Sequence, residues 1–295
     1  MSNTQLITIS NRDNTNYEGD IIFVHGLGGD ARGAWHPTGK RDDYDFWPTW
    51  LGEDLPNLRV WTLDYAIEPF HWKGETMPLV DRATDVLACL DIDVGKRPIF
   101  FITHSMGGLL VKQMLRHAWD FGNSRWKAIA EQTKGIIYLS TPHSGSDLAN
   151  WVNYMGAILQ ASVSVEELKA HDPRLRELNQ VYRNHDFLKQ IPIEVYCEKR
   201  KTKGILVVNE TSVDPGIPGV IPIPMDEDHN SICRPQSKQS NLYRRTKRFI
   251  IEQLASSSLQ SLPKLKESKD KTTYLNTIVN QAGRDINIKE QHNTF

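Results

Sequence analysis

The sequence has no long hydrophobic run. Its longest apolar stretches are strand-sized pieces such as IIFV at 21–24 and IFFI at 99–102, far short of the ~18 residues that a membrane-spanning helix needs. Cysteine is scarce. Cys89, Cys197 and Cys233 are the only three in 295 residues, too few and too scattered for a disulfide framework or a zinc site. Net charge is nearly absent as well: 35 Lys and Arg against 36 Asp and Glu leave −1, so no overall field draws the chain toward nucleic acid. The opening MSNTQLITIS has neither a basic segment nor an apolar core, and a secretory leader is not expected. Together these absences point to a cytoplasmic protein with reduced thiols.

What is present is the pattern of an α/β protein. Apolar, β-branched runs bounded by turn residues recur at 21–24, 59–63, 98–103, 135–139, 193–196, 205–208 and 220–223. Helix-compatible stretches lie between most of them, among them 79–90, 107–119 and 241–254; in the last, Leu242, Phe249, Ile250 and Leu254 share one face. Such alternation builds a mostly parallel sheet covered by helices on both sides.

Residues 147–190 interrupt the rhythm with more chain than one crossover helix needs. Trp151, Tyr154, Met155 and Ile158 follow helical spacing, and Ser164 to Glu167 reads as a capping box. A helical cap over the sheet is the expectation, with ordinary helices on the sheet flank as the alternative. The body ends near 254. Residues 255–272 are Ser- and Lys-rich and read as a linker, and 273–295 form a β-prone tail containing Asn and Gln, too short for a core of its own.

The sharpest chemical signal is PIFFITHSMGGLLVKQML, a strand running through Thr103-His104-Ser105-Met106-Gly107-Gly108 into a helix. A serine on such a tight strand-to-helix turn exposes its Oγ and is the candidate nucleophile. The amide of Met106, opening the helix, points toward a developing oxyanion. Thr103 stands where the G-x-S-x-G elbow has its first glycine, which crowds the turn. Upstream, His25-Gly26-Leu27-Gly28-Gly29 follows another strand, and Leu27 is the second candidate oxyanion donor.

A serine nucleophile needs a base held by an acid. His229, beyond the last strand candidate, fits the order nucleophile, acid, histidine. His104 is expected to turn toward the interior, and His143 to line the pocket or support it. For the acid, Glu198 ends the strand IPIEVYCE and is preferred, with Glu210 and Asp214 as competitors. Asp226, Glu227 and Asp228 read as a charged surface loop.

HGLGGD, THSMGG, STPHSGS and DEDHNSIC, in this order, resemble the α/β-hydrolase superfamily of serine esterases and lipases. The similarity covers roughly 20–254. It is nearest to the intracellular lipase-like branch that includes GPI-inositol deacylase relatives and hydrolase domains attached to NACHT-type immune proteins. The resemblance implies an α/β-hydrolase fold and ester hydrolysis through an acyl-Ser105 intermediate, without metal or organic cofactor. In that branch an aromatic-x-Glu strand end, an extended V-V-x-x-x-S segment and a D-H loop follow one another. Tyr196-Cys197-Glu198, Val207 to Ser212 and Asp228-His229 match them, while Thr211 replaces the acidic residue usual before the serine.

An ester or lipid is the implied substrate, with transient membrane-surface contact through the cap candidate. In the tail, NQAGRDINI resembles amyloid signalling motifs that join effectors to NACHT-type receptors, which implies such a receptor as partner. The competing function is a scaffold that signals through this tail and whose hydrolase body has little activity.

Overall fold

The computed structural model describes residues 4–11, 16–40, 45–65, 79–94, 97–144 and 173–260. Its centre is a seven-stranded sheet: β1 (Gln5–Ser10), β2 (Gly19–Val24), β3 (Leu58–Asp64), β4 (Ile99–His104), β5 (Thr133–Leu139), β6 (Ile193–Glu198) and β7 (Ile223–Met225). Their order across the sheet is β1-β3-β2-β4-β5-β6-β7. Every neighbouring pair is parallel except β1 with β3.

The apolar runs become central strands because both sides of the sheet are covered. Along β2, β4 and β5, Ile22, Val24, Ile99, Phe101, Ile136 and Tyr138 belong to one apolar cluster. The alternate residues Ile21, Phe23, Phe100, Ile102, Ile137 and Leu139 belong to the other, the two-residue period of a pleated strand. The first cluster is completed by α2 (Leu79–Asp93), α3 (Met106–Asp120) and α4 (Ser124–Gln132), the second by α1 (Trp47–Asp54) and α7 (Asn241–Gln260). On α7 the buried face is Leu242, Tyr243, Phe249 and Ile250, close to the face expected.

Three features differ from the sequence expectation. The edge strand β1 has no counterpart in it, because QLITIS is half-polar and only half-buried. Residues 205–208 are not a strand: Ile205 makes an isolated bridge to Thr202, and Val207 and Val208 turn their amides onto a side chain. The last strand lies at Ile223–Met225 rather than 220–223.

Of residues 147–190, the described part holds the helix α5 (Pro173–Asn184) and a 3-10 turn at Leu188–Gln190. Here α5 lies on α3, where Lys112 Nζ donates to Asn179 Oδ1 at 2.8 Å and Leu178 and Tyr182 are buried. Within the described residues, α5 thus joins the helical layer formed by α3. The segment from Trp151 to Leu159 lies outside the described residues, as does the capping box at 164–167. The chain divides into units Met1–Ala255 and Ser256–Phe295, and the tail at 273–295 and most of the linker also lie outside the description. After Asp214, the four-residue helix α6 (Glu210–Val213) having just ended, the chain runs on to β7.

Candidate active site

The loops that leave the carboxyl ends of β2, β4, β6 and β7 supply the site. At the end of β4, Ser105 takes φ 53° and ψ −125° and then opens α3. A non-glycine residue with positive φ carries backbone strain and persists only where its surroundings hold it. They do so here: the Ser105 amide donates to the Leu139 carbonyl at 2.9 Å, and Thr141 Oγ1 donates to the Ser105 carbonyl at 3.1 Å. Thr103, at the unusual position of the elbow, is fully buried and donates its Oγ1 to the Ile137 carbonyl at 3.0 Å. Its hydroxyl is thus bonded to the neighbouring strand, and its bulk is accommodated.

Close packing brings the first glycine loop onto this turn. A Cβ at Gly26 would stand 2.9 Å from Ser105 Cβ and 3.1 Å from the His104 carbonyl oxygen, so only glycine fits. The loop is braced by Tyr65, whose hydroxyl donates to the His25 carbonyl at 2.5 Å, and by Asp30, whose Oδ1 accepts the Arg32 and Gly33 amides. Leu27, next in the loop, is half-buried like Met106, and both pack against the same apolar cluster. Met106 is the first residue of α3, so its amide has no acceptor within the helix.

His229 Nε2 lies 3.0 Å from Ser105 Oγ, and His229 Nδ1 lies 2.6 Å from Glu198 Oε2. The other oxygen, Glu198 Oε1, accepts the amides of Val207 and Val208 at 2.9 and 3.0 Å. All three side chains are buried. The histidine rides on a tight turn in which Asp228 Oδ1 accepts the Asn230 and Ser231 amides, and its own amide donates to Thr202 Oγ1 at 3.0 Å. With the carboxylate facing Nδ1, the proton of a neutral imidazole sits on Nδ1, leaving Nε2 as an acceptor for the serine hydroxyl.

The structure therefore brings Ser105, His229 and Glu198 together and leaves the competing carboxylates elsewhere. Glu210 is exposed and pairs with Lys199, and exposed Asp214 accepts the Gly216 amide. Asp226 pairs with Arg200 on the surface. His104 is buried as expected, but its Nε2 reaches the His229 carbonyl at 2.8 Å. His143 is buried with its ring edge-on to Tyr138, centroids 4.7 Å apart. Burial holds His25, His104 and His143 below the ordinary histidine range, so all three are neutral. The brackets Thr202, Thr141, Tyr65 and the 207–208 amides went unread in the sequence, since no local motif marks a residue whose partner lies on another loop. Among the described residues no group of three or more His, Cys, Asp or Glu side chains could hold a metal ion, and no helix is long and apolar enough to cross a membrane.

A family model described as the alpha/beta hydrolase family matches residues 21–219. The chain belongs to this family. Among curated relatives it is similar to Protein SERAC1 of Danio rerio, 34% identical over 268 residues, which is 82% of this chain and 40% of that protein. Protein SERAC1 of Homo sapiens is also 34% identical, over 259 residues, 80% of this chain and 39% of the relative. The chain thus spans about two-fifths of the length of these relatives. Among solved structures it shares its fold with Est1E from Butyrivibrio proteoclasticus, determined with ferulic acid bound. The TM-score is 0.51 and the identity 18%, with 85% of this chain and 96% of that one covered. Ser105, His229 and Glu198 meet in the loops at the carboxyl ends of the strands, the side on which open parallel sheets bind their ligands.

Proposed function

We propose that this protein hydrolyses carboxylic esters with Ser105 as nucleophile, His229 as base and Glu198 as the acid that orients it. The observation that supports the reading is the chain of contacts from Glu198 Oε2 through His229 to Ser105 Oγ, 2.6 and 3.0 Å. In the first half-reaction Ser105 Oγ attacks the ester carbonyl carbon while its proton passes to His229 Nε2. The carbonyl oxygen takes the negative charge and is met by the Leu27 and Met106 amides. Collapse of this intermediate breaks the ester bond, and the departing alkoxide takes the proton from His229, leaving acyl-Ser105. Water then repeats the sequence, giving up its proton to His229 and releasing the carboxylic acid and free Ser105.

Lipids or phospholipids are the leading substrate class, on the strength of the amphipathic pattern at Trp151, Tyr154, Met155 and Ile158. The tail resemblance in NQAGRDINI supports a role as a cytoplasmic effector joined to a NACHT-type receptor in immune or cell-death signalling. The testing experiment is kcat on a short-chain aryl ester for wild type, Ser105→Ala and His229→Ala. Loss of activity in each variant, and no further loss in the double variant, is expected because the residues act as one unit. Turnover retained in Ser105→Ala would refute the reading.

A further inference from the structure

The residue before the nucleophile has a bond that connects two of the loops forming the site. His104 is the last residue of β4, and its ring lies 4.9 Å from the ring of His229, centroid to centroid. Its Nε2 is 2.8 Å from the carbonyl oxygen of His229. A carbonyl oxygen only accepts, so Nε2 carries the proton and donates. Its other nitrogen, Nδ1, faces the glycine loop: a Cβ at Gly26 would stand 3.2 Å away. Burial first, and the neighbouring His229 next, keep the ring well below the ordinary histidine range and so in the neutral form.

The consequence concerns His229. Its amide is held by Thr202 Oγ1 at 3.0 Å, so the bond from His104 completes the restraint of its backbone on the carbonyl side. The imidazole leaves a loop, and loops are the mobile part of a fold. A shift of about 1 Å between reacting groups costs on the order of a hundredfold in rate.

We propose that His104 is a positioning residue for the base: its Nε2–H, donated to the His229 carbonyl, holds the backbone from which His229 reaches Ser105. The proposal rests on the reading of Ser105 and His229 as nucleophile and base. It explains why a ring with a donor at the far nitrogen stands there, since a shorter side chain on the same strand end would not span to the 229 loop.

The test compares His104→Gln, whose amide N–H lies near the place of Nε2, with His104→Asn, whose amide lies near that of Nδ1, and with His104→Met, which has no donor. Each is assayed for kcat and KM on a short-chain aryl ester and for the rate of Ser105 labelling by a fluorophosphonate. The expected result is that His104→Met and His104→Asn lose about tenfold or more in kcat and labelling rate with KM within about twofold, whereas His104→Gln recovers most of the loss. If His104→Met does not fold, the pair Gln and Asn decides. Equal rates in Gln and Asn, a better Asn, or a loss carried by KM would overturn the proposal. Labelling of wild type but not of Ser105→Ala keeps the serine reading standing whatever the His104 variants do; absence of labelling in wild type removes both.

Discussion

Glu198 divides its carboxylate between two tasks, one oxygen 2.6 Å from His229 Nδ1 and the other accepting the amides of Val207 and Val208. The two backbone donors fix the carboxylate plane, and the remaining oxygen is thereby aimed at the imidazole. A buried carboxylate needs such partners, because leaving its lone pairs unmet costs several kcal/mol.

Replacing Glu198 tests this division. Glu198→Gln keeps the shape but presents an amide group that cannot enforce the tautomer, and kcat is expected to fall by on the order of 10³ to 10⁴. Glu210→Gln and Asp214→Asn, whose side chains lie on the surface away from His229, should stay within about twofold of wild type. Steady-state kinetics on an aryl ester check all three; full activity in Glu198→Gln with loss in either of the others would move the acid.

Thr103 gives a stability prediction. Its hydroxyl is bonded to the Ile137 carbonyl at 3.0 Å in a fully buried position. Thr103→Val retains the shape but leaves that carbonyl short of a partner, a loss of about 1–3 kcal/mol. The midpoint of urea unfolding should fall while kcat stays near that of wild type. An unchanged midpoint would mean that the hydroxyl contributes nothing to holding the elbow.

Lys112 makes stability depend on alkaline pH. It is fully buried, bonded to Asn179 Oδ1, and faces the rings of Tyr138 and Tyr182 with His143 nearby. Burial alone brings its pKa down from 10.5 to about 7. Between those values the unfolded chain holds a proton that the folded chain has lost, so this group's contribution to stability rises with pH across the window and is lost as pH falls toward 7. The difference in unfolding free energy between wild type and Lys112→Met should therefore shift in favour of wild type from pH 7 to pH 9. A flat difference would mean that the ammonium is as well accommodated folded as unfolded. Neutral His25, His104 and His143 act on the acid side: their lowered pKa values mean that stability falls as pH drops through the ordinary histidine range.

Substrate reach is tested on the segment from Trp151 to Leu159. If these residues meet a long acyl chain, as the lipid reading proposes, changing Tyr154, Met155 and Ile158 together to Ser should raise KM for long-chain esters at least severalfold more than for short-chain ones. An equal effect on both would assign the segment a purely structural part.

The legible part of this molecule was the part that chemistry repeats locally. Ile21 to Val24 and Ile99 to Ile102 announce buried parallel strands because both faces are covered, and Ser105 announces its turn by the small residues around it. Chain order singled out His229 and a place at a strand end singled out Glu198, and the two side chains meet at 2.6 Å. What stayed hidden was long-range. β1 is an edge strand of mixed polarity, and its pairing with β3 rests on partners nearly sixty residues away in sequence, Gln5 opposite Asp64 and Leu6 opposite Leu63. Val207 and Val208 look like a strand by composition, yet their amides are claimed by Glu198. Thr202 and His104 restrain His229 through backbone atoms, and a backbone partner leaves no trace in side-chain patterning.

The proposed ester hydrolysis turns on Ser105 as the nucleophile, and active-site labelling tests that most directly. Wild-type protein treated with a fluorophosphonate should gain the mass of a single phosphonyl group, mapped to Ser105 by peptide sequencing, and lose its esterase activity in step, while Ser105→Ala gains none. Labelling at another residue, or ester turnover that persists in fully labelled protein, would contradict it.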